Sequence, residues 1–258
     1  MTVQSDRKGQ TGREGWDSAA LADPHRRDDK AARVEAMFDA IAPTYERVNS
    51  VVSLGRDAAW RRVAIRALAV KADDVALDIC CGTGDMIRAL ATATPRPRLI
   101  IGVDFSEQML RAGHYAADVA SMTALVRADA QRLPLADASV DVITCAFGVR
   151  NFQDLPRGLD EMRRVLRPGG RVAILEFAPP DNVIARWGFA FYSGVLLPRI
   201  AAWISRDRVG AYRYLPRSIQ TFEKRGMMAE RLRAAGFTRV SSKSLNLGSV
   251  AVYRGEAD

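Results

Sequence analysis

Three cysteines in 258 residues, two of them adjacent, cannot supply a disulfide framework, so the chain reads as one kept in a reducing cytoplasm. Histidine is scarcer still: His25 and His114 stand alone without metal-ligand spacing, which predicts no metal site. Long hydrophobic runs are missing as well. In the most apolar segment the longest charge-free stretch, Trp187 to Pro198, has twelve residues, well short of the twenty or so that a bilayer crossing needs. The N-terminus has no apolar signal core, and its acids argue against a transit peptide. Acidic residues number 30 against 38 basic ones, a net charge of +8 that suits nucleic acid, an anionic membrane surface or a basic soluble protein. Where that charge sits decides between them.

With 48% hydrophobic residues the chain can bury one substantial core. Residues 1–32 hold six Lys/Arg and six Asp/Glu, with glycines at 9, 12 and 15, and read as a disordered tail. Residues 33–70 read as a helical extension. Val34, Met37, Phe38 and Ile41 share one helical face, Pro43 interrupts, and a basic amphipathic helix ends near Leu68. Such a piece lies naturally over a ligand cleft, which makes Tyr45 a candidate contact, with simple packing as the alternative. From residue 71 strand-like and helix-like stretches alternate. Strands are expected near 75–79, 98–104, 123–128, 139–146 and 171–177, and helices near 85–93, 106–118 and 155–167, the last stopped by Pro168-Gly169-Gly170. A helical insert over 178–225, a helix at 227–235 and a closing hairpin of two strands complete the chain to residue 258. The fold class is therefore α/β: a Rossmann-like, seven-stranded, mainly parallel sheet with an antiparallel C-terminal edge hairpin.

The segment Asp78 to Asp85, D-I-C-C-G-T-G-D, follows the first strand and opens a helix. That order aims backbone N–H groups at a ligand, and Gly82 and Gly84 let it approach closely. Twenty residues after Gly84, Asp104 ends the next apolar run, where a carboxylate can accept from both hydroxyls of a ribose. A dinucleotide fingerprint would place a third glycine where Ile87 stands, so no pyrophosphate cradle is implied. The arrangement, with acidic Asp78 and small Cys80 and Cys81 beside the turn, resembles motif I of the Rossmann-like S-adenosylmethionine (AdoMet) methyltransferases. In that reading Asp129 and the Ala130 N–H hold the adenine. The fourth strand end, Ala146 to Phe152, faces the transferable methyl. It lacks the Asn/Asp-Pro-Pro-aromatic loop of enzymes that methylate amino groups. It carries Arg150 and Asn151 instead, which suits a substrate developing negative charge, unless Arg150 only neutralises a neighbouring acid.

The resemblance narrows further on two stretches. Met37-Phe38 through Ala42, Tyr45, Asn49, Ser53, Gly55 and Trp60-Arg61 are similar to the N-terminal signature of the ubiquinone/menaquinone biosynthesis C-methyltransferases. Gly148 to Asn151, Leu175-Glu176-Phe177, Leu197 to Ile200, Tyr212 to Leu215 and Ser218-Ile219 resemble their second signature. The similarity runs from about residue 33 to the end. It implies methyl transfer from AdoMet to a ring carbon of a prenylated quinol, with cofactor contacts on Thr83, Asp104, Asp129 and Ala130. A family contact that is often serine falls on Ala146, leaving only its backbone. The double cysteine before Gly82 leans toward the menaquinone pathway, with the 2-methoxy-6-polyprenyl-1,4-benzoquinol reaction of the ubiquinone pathway as the alternative.

The chemistry is consistent with that implication. A ring carbon becomes nucleophilic when the hydroxyl beside it ionises. A guanidinium at about 4 Å contributes roughly 4 kcal/mol at an effective dielectric of 20, about three pKa units, so an unopposed Arg150 would bring a phenol near neutrality. Asn151 would orient the ring oxygen or a water. Residues 186–225 carry eight Lys/Arg against two Asp/Glu beside the apolar run, an arrangement suited to an isoprenoid tail and transient contact with anionic lipid rather than nucleic acid. The rivals are a nucleic-acid methyltransferase and a noncatalytic AdoMet-binding protein. A homodimer is left open.

Overall fold

A computed structural model describes residues 15–179, Trp187 and residues 209–258. Seven strands form one sheet: β1 (Val75–Ile79), β2 (Leu99–Asp104), β3 (Thr123–Arg127), β4 (Val140–Ala146), β5 (Leu166–Phe177), β6 (Phe237–Leu245) and β7 (Val250–Ala257). Their order is β3-β2-β1-β4-β5-β7-β6. β1, β2, β3, β4 and β5 run parallel, while β7 lies antiparallel to both β5 and β6. All five residues of β1 are buried, as a central strand covered on both faces requires. The order reverses between β1 and β4, and the carboxyl ends of the strands flanking that reversal form the crevice where such sheets take ligands.

Helices α1 (Lys30–Ile41), α2 (Tyr45–Val52), α3 (Asp57–Leu68), α4 (Asp85–Ala91), α5 (Glu107–Ala112), α6 (Ala117–Ala120), α7 (Leu155–Val165), α8 (Ala211–Thr221) and α9 (Arg225–Ala234) surround the sheet. Two apolar clusters fill its faces. One joins β1, β4 and β5 to Leu159 and Met162 of α7 and Leu232 of α9, and the other joins the sheet to Ile65 and Leu68 of α3 and Leu90 of α4. A third, around Val34, Met37, Met109 and Tyr214, seats the N-terminal extension over the crevice.

Local details depart from the sequence expectations for identifiable reasons. The single helix expected over 106–118 divides at Gly113, whose extended backbone lets the chain pass close to the Thr83 carbonyl: a Cβ on Gly113 would lie 3.1 Å from it. α7 stops at Val165 and β5 begins at once, because Pro168 biases the residue before it to extended backbone. The expectation of a disordered tail over 1–32 is corrected from residue 15 onward. Trp16 is fully buried, its N–H donates to the Val209 carbonyl at 2.9 Å, and Arg217 donates to the Leu21 and Ala22 carbonyls at 2.9 and 2.7 Å. Average composition concealed that one large aromatic can anchor a polar segment when a partner ring awaits it. Of the expected insert, residues 180–186 and 188–208 lie outside the described residues, as do residues 1–14.

Candidate active site

The glycine turn sits between β1 and α4. Gly84 has φ +91°, in the left-handed region, and a Cβ there would fall 2.1 Å from the Tyr115 hydroxyl, so both conformation and space demand glycine. Tyr45, at the start of α2, approaches from above: its ring would stand 3.9 Å from a Cβ on Gly82. Asp104 closes β2 beside the turn. One of its oxygens accepts from the Gly82 N–H at 2.8 Å and the other from the Ser106 N–H at 2.9 Å. A carboxylate offers about four lone-pair sites, so it retains acceptor capacity for two ribose hydroxyls. Burial pushes its pKa up to about 6, against the pull of the Ser106 and Gly82 N–H groups.

Asp104 shares a crevice with Cys80, Asp129, Ala130 and Asn151. Asp129 is oriented by Gln131, whose backbone N–H and side-chain amide donate to its Oδ1 at 2.9 and 3.1 Å. Beneath the turn, Asp78 accepts from the Thr144 hydroxyl at 2.7 Å through Oδ1, while Oδ2 is buried without a partner among the described residues. Burial pushes the Asp78 carboxyl up to about 7. The Thr83 hydroxyl is likewise buried and, among the described residues, unpartnered. An orphaned acidic oxygen, an orphaned hydroxyl, a carboxylate at the ribose position and a glycine turn without side chains fit a cationic nucleoside such as AdoMet. Of the nine expected cofactor positions, Asp104, Asp129 and Ala130 line this crevice, Tyr45, Gly82 and Ala146 line a small pocket beside it that Asp104 also lines, and Asp78, Thr83 and Gly84 belong to β1 and the glycine turn that follows it.

A second, apolar cavity is lined by Met37, Trp60, Phe147, Phe177 and Tyr214; Tyr45 and Phe147 line both it and the small pocket, which in turn shares Asp104 and Asn151 with the crevice. Arg150 and Asn151 lie in a short helical turn, Val149–Asn151, after β4. Arg150 faces the apolar cavity but is not unopposed. Its Nη1 donates to Glu176 at 2.7 Å and to the Phe147 carbonyl at 2.6 Å, and Glu176 is wholly buried in β5. The expectation of a free guanidinium is thereby corrected. A phenolate about 4 Å from the guanidinium and about 7 Å from the carboxylate would gain roughly 2 kcal/mol at an effective dielectric of 20, half of the unopposed figure. Asn151 accepts through Oδ1 from the Tyr214 hydroxyl at 2.9 Å.

Sequence reasoning missed two partners. Glu176 was detectable, because a carboxylate inside the apolar run Val172 to Phe177 needs a buried counter-charge. Tyr214 stands in the same signature as Asn151, Tyr212 to Leu215, but nothing in the local pattern says that its hydroxyl meets that side chain. Lys30, also missed, is nearly buried, and its ammonium donates to the Phe152 carbonyl at 2.5 Å. Burial and the neighbouring Arg150 charge lower its pKa to about 8.

Comparison with known proteins fits this geometry. A Deinococcus radiodurans demethylmenaquinone methyltransferase is 41% identical over 231 residues, covering 89% of this chain and 95% of that one. The ubiquinone/menaquinone biosynthesis C-methyltransferase UbiE of Geotalea daltonii is 38% identical, covering 88% and 97%. Among solved structures, a Thermotoga maritima SAM-dependent methyltransferase described as a possible histamine N-methyltransferase superposes with a TM-score of 0.60 at 17% identity, over 86% of this chain and 99% of that one. At that identity the likeness shows the fold alone. The family model of the ubiE/COQ5 methyltransferases matches residues 26–257, nearly the whole described chain, and the protein belongs to that family of AdoMet-dependent C-methyltransferases.

Proposed function

We propose that this chain transfers a methyl group from AdoMet to a ring carbon of a prenylated quinol, demethylmenaquinol being the preferred substrate. The observation that carries the reading is the small pocket between the two cavities: through Tyr45 and Phe147 it meets an apolar cavity fit for a quinol ring, and through Asp104 and Asn151 the crevice fit for the nucleoside. The names of the relatives favour the same substrate class. AdoMet, when bound, supplies an electrophilic methyl on a sulfonium. Asp104 holds the ribose, and Asp129 with the Ala130 N–H holds the adenine. Thr83, Asp78 and the backbone of Gly82, Gly84 and Ala146 receive the remainder. Tyr45 covers the junction. Asn151 touches the quinol oxygen, and Arg150, moderated by Glu176, biases that oxygen toward ionisation.

The alternative is the benzoquinol of the ubiquinone pathway, favoured by the dual pathway name of the Geotalea relative. A nucleic-acid substrate is disfavoured by the apolar lining of the second cavity. The reading includes a cytoplasmic protein making transient contact with the membrane face, a helical extension over 33–70 and a substrate-holding insert over 178–225; homodimer formation is a separate proposal for sedimentation analysis. The deciding experiment follows label from AdoMet into a prenylated naphthoquinol, a prenylated benzoquinol and a tailless naphthoquinol. The prenylated naphthoquinol should give the highest kcat/KM. Equal values for the tailless compound would remove the isoprenoid from the reading, and a higher value for the benzoquinol would reverse the choice of ring.

A further inference from the structure

Tyr214 is almost completely buried on α8, and its two ends do different things. Its hydroxyl donates to Asn151 Oδ1 at 2.9 Å. Its ring stacks on Trp16, with centroids 4.2 Å apart and planes inclined by 27°. Trp16 is itself fully buried, its indole N–H meets no partner among the described residues, and its face is what Tyr214 uses. The tryptophan is fixed from both sides of the chain: its backbone N–H donates to the Val209 carbonyl, and Arg33 donates to the Gly15 carbonyl at 2.6 Å.

The chemical consequence falls on Asn151, which lines the crevice beside Asp104 and Asp129. A carboxamide has one acceptor oxygen and one NH₂ group, and neither can do the other's work. The Tyr214 hydroxyl occupies the oxygen. Among the described residues the amide NH₂ has only a long contact, 3.4 Å, to the Phe147 carbonyl. We propose that Tyr214, braced by Trp16, is a positioning residue that presents the NH₂ edge of Asn151, and not its carbonyl, to the quinol oxygen. This rests on the reading that Asn151 touches that oxygen. Asn151 then donates to a developing phenolate and takes no proton, and a segment ahead of the first helix becomes part of the reaction's machinery.

The test is a kinetic cycle with the prenylated naphthoquinol. Tyr214→Phe keeps the ring on Trp16 and deletes the hydroxyl, so kcat should fall about ten-fold while quinol KM and the AdoMet Kd change less than two-fold. Adding Tyr214→Phe to Asn151→Ala should lower kcat no further than Asn151→Ala alone. Asn151→Asp, which offers the oxygen only acceptors and a negative charge, should be slower than Asn151→Ala. Trp16→Phe should restore most of the turnover that Trp16→Ala loses. Wild-type kcat in Tyr214→Phe, or an undiminished ten-fold loss on the Asn151→Ala background, overturns the positioning role while leaving the methyltransferase reading intact. Wild-type kcat in Asn151→Ala overturns the contact with the quinol oxygen itself, and greater activity in Asn151→Asp than in Asn151→Ala reverses the assigned edge.

Discussion

At the scale of single residues, the carboxylates around the glycine turn make the cofactor site a proton-linked one. Asp104 has been moved by burial from an ordinary carboxylate to about 6. Its folded-state pKa lies above the unfolded one, so the ligand-free protein binds a proton there that the unfolded chain gives up, and this contribution to stability declines as pH rises from about 4 to about 6. Asp78, at about 7, extends the same decline upward. A cationic nucleoside prefers the ionised carboxylate, so its affinity moves the other way. Asp104 is about nine-tenths ionised at pH 7 and about one-tenth at pH 5, and the AdoMet Kd should rise roughly ten-fold between them. Calorimetry at both values checks this, and Asp104→Asn should bind weakly with a flatter profile. An unchanged wild-type Kd would remove Asp104 from the ribose.

The Arg150–Glu176 pair imposes a different constraint on the same residues. Removing one member of a buried ion pair strands the other, which costs about 3–5 kcal/mol. Arg150→Ala should therefore lower the melting temperature by roughly 6–20 °C for a chain of this size, with Glu176, already pushed upward by burial, taking up a proton. Adding Glu176→Gln should restore most of that loss. Turnover separates the roles of the arginine: if the double variant stays slow while melting normally, Arg150 acts on the substrate, and if it recovers, the arginine serves only to balance Glu176.

At the scale of elements, the parts readable in the sequence were those whose cause is local. β1 and β2 end at Ile79 and Asp104 because an apolar run stops at a turn, and an acidic residue at a strand end in register with a glycine turn is a one-dimensional pattern. The strand–turn–helix unit follows from Gly82 and Gly84, and Ile87, standing where a third glycine would be, argues against a dinucleotide. What escaped depends on partners distant in the chain. Trp16 finds Tyr214 across nearly two hundred residues, and the break at Gly113 arises from the Thr83 carbonyl passing over it. The turn also yields a prediction at this scale. Gly84→Ala would force a side chain into a left-handed conformation, costing about 1–2 kcal/mol, and press its Cβ on the Tyr115 hydroxyl. Both melting temperature and AdoMet affinity should fall. If stability drops while affinity holds, the turn is a folding element and the nucleoside lies elsewhere.

At the scale of the whole molecule, the distribution of charge bears on where the substrate is met. The chain carries +8, and residues 186–225 contribute eight basic against two acidic side chains, while no helix among the described residues is long and apolar enough to cross a membrane. A quinol with an isoprenoid tail partitions into lipid, so an enzyme that methylates it works at a surface or waits for rare dissociation. Basic side chains near an anionic leaflet contribute about 1 kcal/mol each, within a Debye length that shrinks from about 10 Å at 0.1 M salt to about 3 Å at 1 M. With substrate embedded in vesicles, kcat/KM should rise with the fraction of anionic lipid and lose that gain at high salt. The same enzyme given a short-tailed quinol free in solution should show little response to either, which separates surface recruitment from an effect of salt on chemistry. Equal rates on neutral and anionic vesicles would mean that the basic charge serves something other than the membrane, and that the tail is taken from solution.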